Sequence, residues 1–332
     1  MIPALPDGLA VRPLSDDDAA AVAALLAAAE QLDDTGEYPD GEDVAEWWRG
    51  WGLETARDGL AVCDAAGIVV AYATVMASPT FREALAVYLE GRVRPDLREC
   101  GIGRALLAWQ VDRGTALHAE RQPDARGALT VEVPGSMSSL AALVRRAGFA
   151  PERWYREMQR PLTDIPQARP VPGIEIVPFT WDRDDEVRRA HNAAFTRHHG
   201  SSERDPEAWQ ALFTGQRSFR PDLSRLAVAD GAVAGYVLAY VFEADTAARG
   251  AREVSLGQIG VLPQARGQGV ASAAIVEVLR AAADGDCQSA ALGVDTDNVT
   301  GALRLYEGLG FRAVRARVSW TLDLPPVAER SA

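Results

Sequence analysis

The chain has 332 residues, room for two domains of about 150 each, and its 48% hydrophobic content lets each half bury a core. A net charge of -13 argues against a nucleic-acid partner, and the lack of an uncharged apolar run of about 18 residues argues against a membrane span. There is no lysine, which excludes Schiff-base chemistry and a Walker-type lysine, and Cys63, Cys100 and Cys287 lack metal-ligand spacing, so no metal site is expected.

Residues 1–13 lack the basic and apolar regions of an export signal, so a reduced, cytoplasmic protein is expected. A first strand around 9–13 leads into helices over about 16–29 and 41–57. Trp47, Trp48 and Trp51 sit at helical spacing in the second of these and read as packing rather than a ligand cage. A hairpin follows, with strands at 61–63 and 68–75 around Gly67. A strand ending in Val93 runs into a glycine loop, Arg98-Glu99-Cys100-Gly101-Ile102-Gly103, and then a helix. A strand at 129–133, a short helix, Gly148-Phe149 and a closing strand complete the half.

Residues 161–172 hold four prolines and few large apolar side chains, the composition of a linker. The order then repeats. A strand at 174–178 precedes helices near 183–196 and 206–213 and a hairpin at 226–229 and 233–242 around Gly231. A strand ending in Val261 meets a second loop, Arg266-Gly267-Gln268-Gly269-Val270-Ala271, 168 residues after the first. A helix, a strand at 290–294, a last helix and Gly310-Phe311 follow. The expected domains are 1–162 and 173–325, joined by 163–172 and followed by a tail at 326–332. Each is α+β, with a mixed, mostly antiparallel sheet flanked by helices.

An Arg-x-x-Gly-x-Gly/Ala turn between strand and helix suits a pyrophosphate, because glycines let backbone N–H groups approach the anion at a helix N-terminus. A dinucleotide-binding unit would place such a loop after the first strand, whereas here it follows the fourth. Cys100 reads as a small side chain tolerated in the loop.

These loops, the strand order and the ending Asn298-Val299-Thr300-Gly301-Ala302-Leu303-Arg304-Leu305-Tyr306-Glu307-Gly308-Leu309-Gly310-Phe311 resemble the GNAT family of acetyl-CoA-dependent N-acetyltransferases, twice in tandem. The resemblance implies that acetyl-CoA, as co-substrate, lies between the fourth and fifth strands of the second domain. Backbone near Val261 would pair with its pantetheine arm, and Arg266, Gly267, Gln268, Gly269, Val270 and Ala271 would hold its pyrophosphate. Asn298 would contact the arm; it equally suits a helix N-cap. Tyr306 stands where the family's tyrosine protonates the departing thiolate, a phenol of ordinary pKa about 10 facing a thiol of about 8.5. Glu253 is the expected general base, with Asp295 and the His198-His199 pair as alternatives.

The first half keeps its loop, with Arg98, Gly101 and Gly103 as a second cradle. It has Val144 where the other has Tyr306 and Ser136 where the other has Asn298. It is therefore expected to bind acetyl-CoA weakly or not at all and not to catalyse. The acceptor implied is a small-molecule primary amine, with the region around His191, Asn192, Phe195 and Trp209 as its lid. The two-domain arrangement also resembles mycothiol synthase, which acetylates a cysteinyl amine; the nearest register places Ser255 where that enzyme's strand bears a carboxylate. A non-catalytic acyl-CoA-binding protein is the other reading. Monomer and homodimer both remain open.

Overall fold

The computed structural model describes residues 5–78, 80–81, 84–196, 202–296 and 301–330. It divides into two compact units, one of residues 1–153 with 317–332 and one of residues 154–316.

The first unit opens with β1 (Ala10–Pro13) and α1 (Ala19–Asp33). α1 is alanine-rich and enters through a capping turn in which Ser15 and Asp18 satisfy each other's backbone donors. Asp40 and Asp43 do the same for α2 (Gly41–Gly50). After α3 (Thr55–Asp58) come β2 (Gly59–Cys63), β3 (Val69–Ala77) and β4 (Ala84–Val93). β3 is buried along its whole length, as a central strand with covered faces should be. The glycine loop then feeds α4 (Ile102–Arg121), followed by β5 (Arg126–Pro134), α5 (Ser138–Arg146) and β6 (Ala150–Pro161).

The second unit repeats this order. It contains β7 (Glu175–Pro178), α6 (Asp184–Ala194), α7 (Pro206–Trp209), β8 (Arg225–Ala229), β9 (Ala232–Tyr240) and α8 (Glu243–Arg249). β10 (Glu253–Val261), α9 (Val270–Asp284), β11 (Ser289–Asp295), α10 (Ala302–Gly308), β12 (Arg312–Leu324) and α11 (Val327–Arg330) follow. β12 begins in the second unit and ends in the first, and α11 lies wholly in the first.

Among the described residues, four of the five strand pairings within each unit are antiparallel. The exceptions are β4 with β5 and β10 with β11, which are parallel. The apolar clusters follow the sequence pattern: α4 and α5 cover one face of the first sheet, α9 and α10 one face of the second.

The closing strands differ from the expected domain boundaries. β6, from the first repeat, pairs with β11 over Tyr155–Asp295 to Pro161–Ser289. β12, from the second repeat, pairs with β5 over Arg317–Pro134 to Leu324–Gly127. Each repeat therefore lends its last strand to the other unit's sheet. The 168-residue repeat cannot reveal this, because a closing strand has the same pattern whichever fifth strand it joins.

Leu324 is buried in the first unit's core, with Trp320 and Leu322 packed against it. A chain ending at Ala316 loses these contacts and the β5 pairing, at about 1.5–3 kcal/mol for each fully buried large side chain. Hydrogen exchange should show protection lost in β5, far away in sequence, while β9 and β10 stay protected. Loss of protection in β9 and β10 first would refute the assignment of this strand to the first unit.

Candidate active site

In the second unit β10 and β11 pair only from Glu253–Ser289 to Ser255–Ala291 and then part. A bulge between Leu256 and Gln258 bends β10 where the parallel pairing ends. Glycine is required at two points on this strand. A Cβ on Gly257 would lie 2.6 Å from the Tyr240 ring, and one on Gly260 would lie 2.5 Å from the Tyr236 ring. The two tyrosines alternate with Leu238 along β9 and so share its α6 face. The Tyr236 hydroxyl is hydrogen-bonded to Nδ1 of His191 at 2.7 Å, and His191 stacks on Phe195. The Tyr240 hydroxyl is buried without a hydrogen-bond partner among the described residues. Burial raises the pKa of both phenols.

The loop after β10 is exposed. Gly267 has φ +75° and Gly269 φ +88°, left-handed values that turn the backbone into the start of α9. A Cβ on Gly267 would meet nothing within 4 Å among the described residues, so they leave the cradle open to a ligand. Val270 and Ala271 begin α9, whose first N–H groups have no intrahelical acceptor. Gln268 reaches back to the Gln264 carbonyl at 3.0 Å. Arg266 does not point outward as a phosphate ligand. Its Nε donates to the Val261 carbonyl at 3.0 Å and its Nη2 to the Ala194 carbonyl at 2.7 Å, so it clamps the loop to β10 and α6.

Tyr306 lies on α10, 8% exposed, in the same apolar cluster as Leu256 and Ile259 of β10 and Leu292 and Val294 of β11. It therefore sits on the α9 face, beside the parting strands. Burial pushes its pKa up to about 12. Arg160 of β6 is buried at the end of this helix. It donates to the Leu309 carbonyl, and to the Thr163 carbonyl at 2.9 Å, fixing the turn that carries Tyr306. Gly310 adopts φ +90° there, and the Phe311 N–H returns to the Tyr306 carbonyl, which explains the Gly-Phe pair. The first unit matches: Gly148 has φ +92° and the Phe149 N–H bonds the Val144 carbonyl, so Val144 occupies the place of Tyr306.

Glu253 is already engaged. It accepts from Gln159 of β6, from Ser289 at 2.6 Å and from Arg249 at 3.2 Å. These bonds hold together the starts of β10 and β11 and the end of β6, on the paired side of the bulge, so the general-base expectation gains no geometric support. Asp295 ends β11 and is buried. Asn298, His198 and His199 lie outside the described residues. The arrangement of Tyr236, Tyr240, Gly257 and Gly260 was not anticipated. Two glycines inside a strand already signal a bulge or a close approach.

The first loop is built differently. Arg98 donates to the Val93 carbonyl at 3.0 Å and grips buried Asp33 with both Nη atoms, at 2.6 and 2.9 Å. Where the second loop has Gly267, the first has Glu99, at φ +65°. Gly101 adopts φ +89° and Gly103 lies inside α4. The cradle shape survives, but an acid now stands beside it.

Residues 185–311 match the acetyltransferase (GNAT) family. A mycothiol acetyltransferase of Frankia casuarinae is 32% identical, the alignment covering 94% of this chain and 96% of that protein. The chain belongs to the GNAT acetyltransferase family. A second mycothiol acetyltransferase, from Frankia alni, is 33% identical, with 92% of each chain covered. A GCN5-related N-acetyltransferase from Sphaerobacter thermophilus superposes with a TM-score of 0.76 at 27% identity, covering 97% of this chain and 98% of that one. A tandem GNAT protein from the clavulanic acid biosynthesis pathway shares the fold, with a TM-score of 0.67 at 20% identity, covering 95% and 98%. As a tandem GNAT enzyme the protein transfers an acetyl group from acetyl-CoA to an amine. No helix among the described residues is long and apolar enough to cross a membrane.

Glu99 is a non-glycine residue in a left-handed conformation, which costs about 1 kcal/mol. Glu99→Gly should therefore raise stability by about 0.5–1 kcal/mol in denaturant titration. A loss of stability would show that the Glu99 side chain makes a compensating contact.

Proposed function

We propose that the protein acetylates the free amine of a small thiol-bearing precursor of the mycothiol type, in its second unit. The near full-length likeness to mycothiol acetyltransferases carries this reading. The acetyl donor fits the parting of β10 and β11. Its pantetheine arm would run along β10 near Val261, and its pyrophosphate would take the N–H groups of Gly267, Gln268, Gly269, Val270 and Ala271. Arg266 supports that cradle from behind. The resemblance gives Asn298 a contact with the arm. The amine approaches from the face lined by Tyr236, Tyr240 and Gln258.

Tyr306 is the proton donor. With a pKa of about 12 it stays protonated at any working pH. Full transfer to a thiolate with a conjugate acid of about 8.5 is uphill, so its main contribution is a hydrogen bond to the sulfur as charge develops there. Glu253 braces strands and is not assigned the base. The amine enters neutral, and its proton passes to water after attack. Ser255, in the carboxylate's place, favours a second reading in which the acceptor is a different small-molecule amine.

Mass-spectrometric detection of product separates these readings. Higher kcat/KM for a cysteinyl glucosaminyl-inositol than for simple amines supports the first; a preference for simple amines sinks it. Tyr306→Phe should lower kcat about 100-fold. Its pH profile from about 6 to 10 should run parallel to that of the parent, because the phenol ionises only near 12. A falling alkaline limb near pH 9 that disappears in this variant would contradict the role. Glu253→Gln should keep kcat within about threefold and leave the acidic limb in place, while stability drops by about 1 kcal/mol. A displaced acidic limb would restore Glu253 as the base.

A further inference from the structure

The first unit has lost the proton donor, yet the face of its sheet under α1 and α2 is not plain packing. Trp48 turns inward and is 2% exposed, as the spacing predicts. Trp47 and Trp51 do not follow it: Trp47 is 40% exposed and Trp51 is half-buried. Their ring centroids lie 5.4 Å apart at 59°, and Trp51 meets Tyr88 of β4 at 5.0 Å and 66°. Glu90 is two residues further along β4 and so on the same face as Tyr88. Its Oε2 accepts from Nε1 of Trp47 at 3.3 Å.

The position within the sheet matters. The parallel pairing of β4 with β5 ends at Tyr88–Thr130, so Glu90 stands just past the point where the strands part. A half-buried carboxylate is thus set among three aromatic rings at an opening. Other groups act on it unequally. Burial raises its pKa to about 7; Glu37 and Glu132 push the same way, and Trp47 and Arg92 oppose them. Buried Tyr72 lies close enough for the Glu90 charge to raise its own pKa further. Arg92 is drawn away, 3.5 Å from Asp33. The carboxylate is therefore undercompensated as an anion. A ligand cation would supply the missing charge, and ring faces favour an organic cation over a strongly hydrated metal ion.

We propose that Trp47, Trp51, Tyr88 and Glu90 form a binding site for an organic ammonium ion, held by the carboxylate and the ring faces. Acetyl transfer is not part of it. Val144 cannot donate a proton, and a bound ammonium has no free electron pair for attack. The site is a second recognition point for alkylamines, separate from the transfer centre and independent of the acceptor assigned there.

The full-length protein, labelled with nitrogen-15 at its indoles, provides a local readout. Trp47→Phe and Trp51→Phe identify the two resonances. Titration with ethylammonium chloride at pH 8, with sodium chloride at matched ionic strength as control, should shift both signals to saturation. Glu90→Gln keeps an acceptor oxygen for Trp47 and should weaken the apparent affinity at least tenfold. Lowering the pH to 5.5 should weaken it similarly in the parent, because Glu90 takes up its proton as pH falls through about 7. Tyr306→Phe should leave the titration unchanged. Absence of a saturable shift, an equal shift with sodium chloride, or unaltered affinity in Glu90→Gln would overturn the proposal.

Discussion

Two parallel strands that are hydrogen-bonded at one end and part at the other organise each unit. A parallel pair needs a long crossover, and α4 and α9 provide it. The parting leaves backbone groups of one strand without a partner inside a folded sheet, which a native protein tolerates only where a ligand or solvent satisfies them. In the second unit the bulge at Gly257 sharpens the parting, the glycine loop follows at the strand's end, and Tyr306 lies beside it. The glycine loop, Tyr306 and the face lined by Tyr236 and Tyr240, to which the proposed reading gives cradle, donor and acceptor roles, all take their places from that one divergence.

The two units keep this frame and fill it differently. Arg98 and Arg266 both fold back onto the strand that precedes them, so the arginine of the repeated loop belongs to its architecture. The ligand-facing positions have diverged. Glu99 stands for Gly267 and Glu90 for Gln258, both at the 168-residue offset, and Val144 stands for Tyr306 at the same place before the Gly-Phe pair. Two of these exchanges add a carboxylate, and the third replaces a phenol with an aliphatic side chain. The scaffold is shared, and the first unit carries negative charge at two places where the second is neutral.

Much of this was legible in the sequence. Proline, arginine and glycine at fixed offsets gave the loops, alternation gave the hairpins, and Gly148 and Gly310 marked helix ends that need left-handed backbone. Tyr306 could be placed by counting back from Gly310. What could not be read were facts of three dimensions. Glu253 has the composition and strand position of a base, but its carboxylate is used by Gln159, Ser289 and Arg249, from elements distant in sequence or differently aimed. Trp47 and Trp48 lie on α2 and Trp51 caps its end, yet only Trp48 belongs to the core. The exchange of β6 and β12 leaves no trace in pattern or period.

That exchange also bears on how the chain is made. β5 of the first unit can gain its β12 neighbour only when residues 317–324, made after the rest of the second repeat, arrive. Until then its edge is bare, a template for mispairing. The second unit waits for nothing comparable, because its borrowed strand β6 is already in place before β7 is made. The second unit can therefore finish its sheet first, and the one whose synthesis starts earlier finishes later.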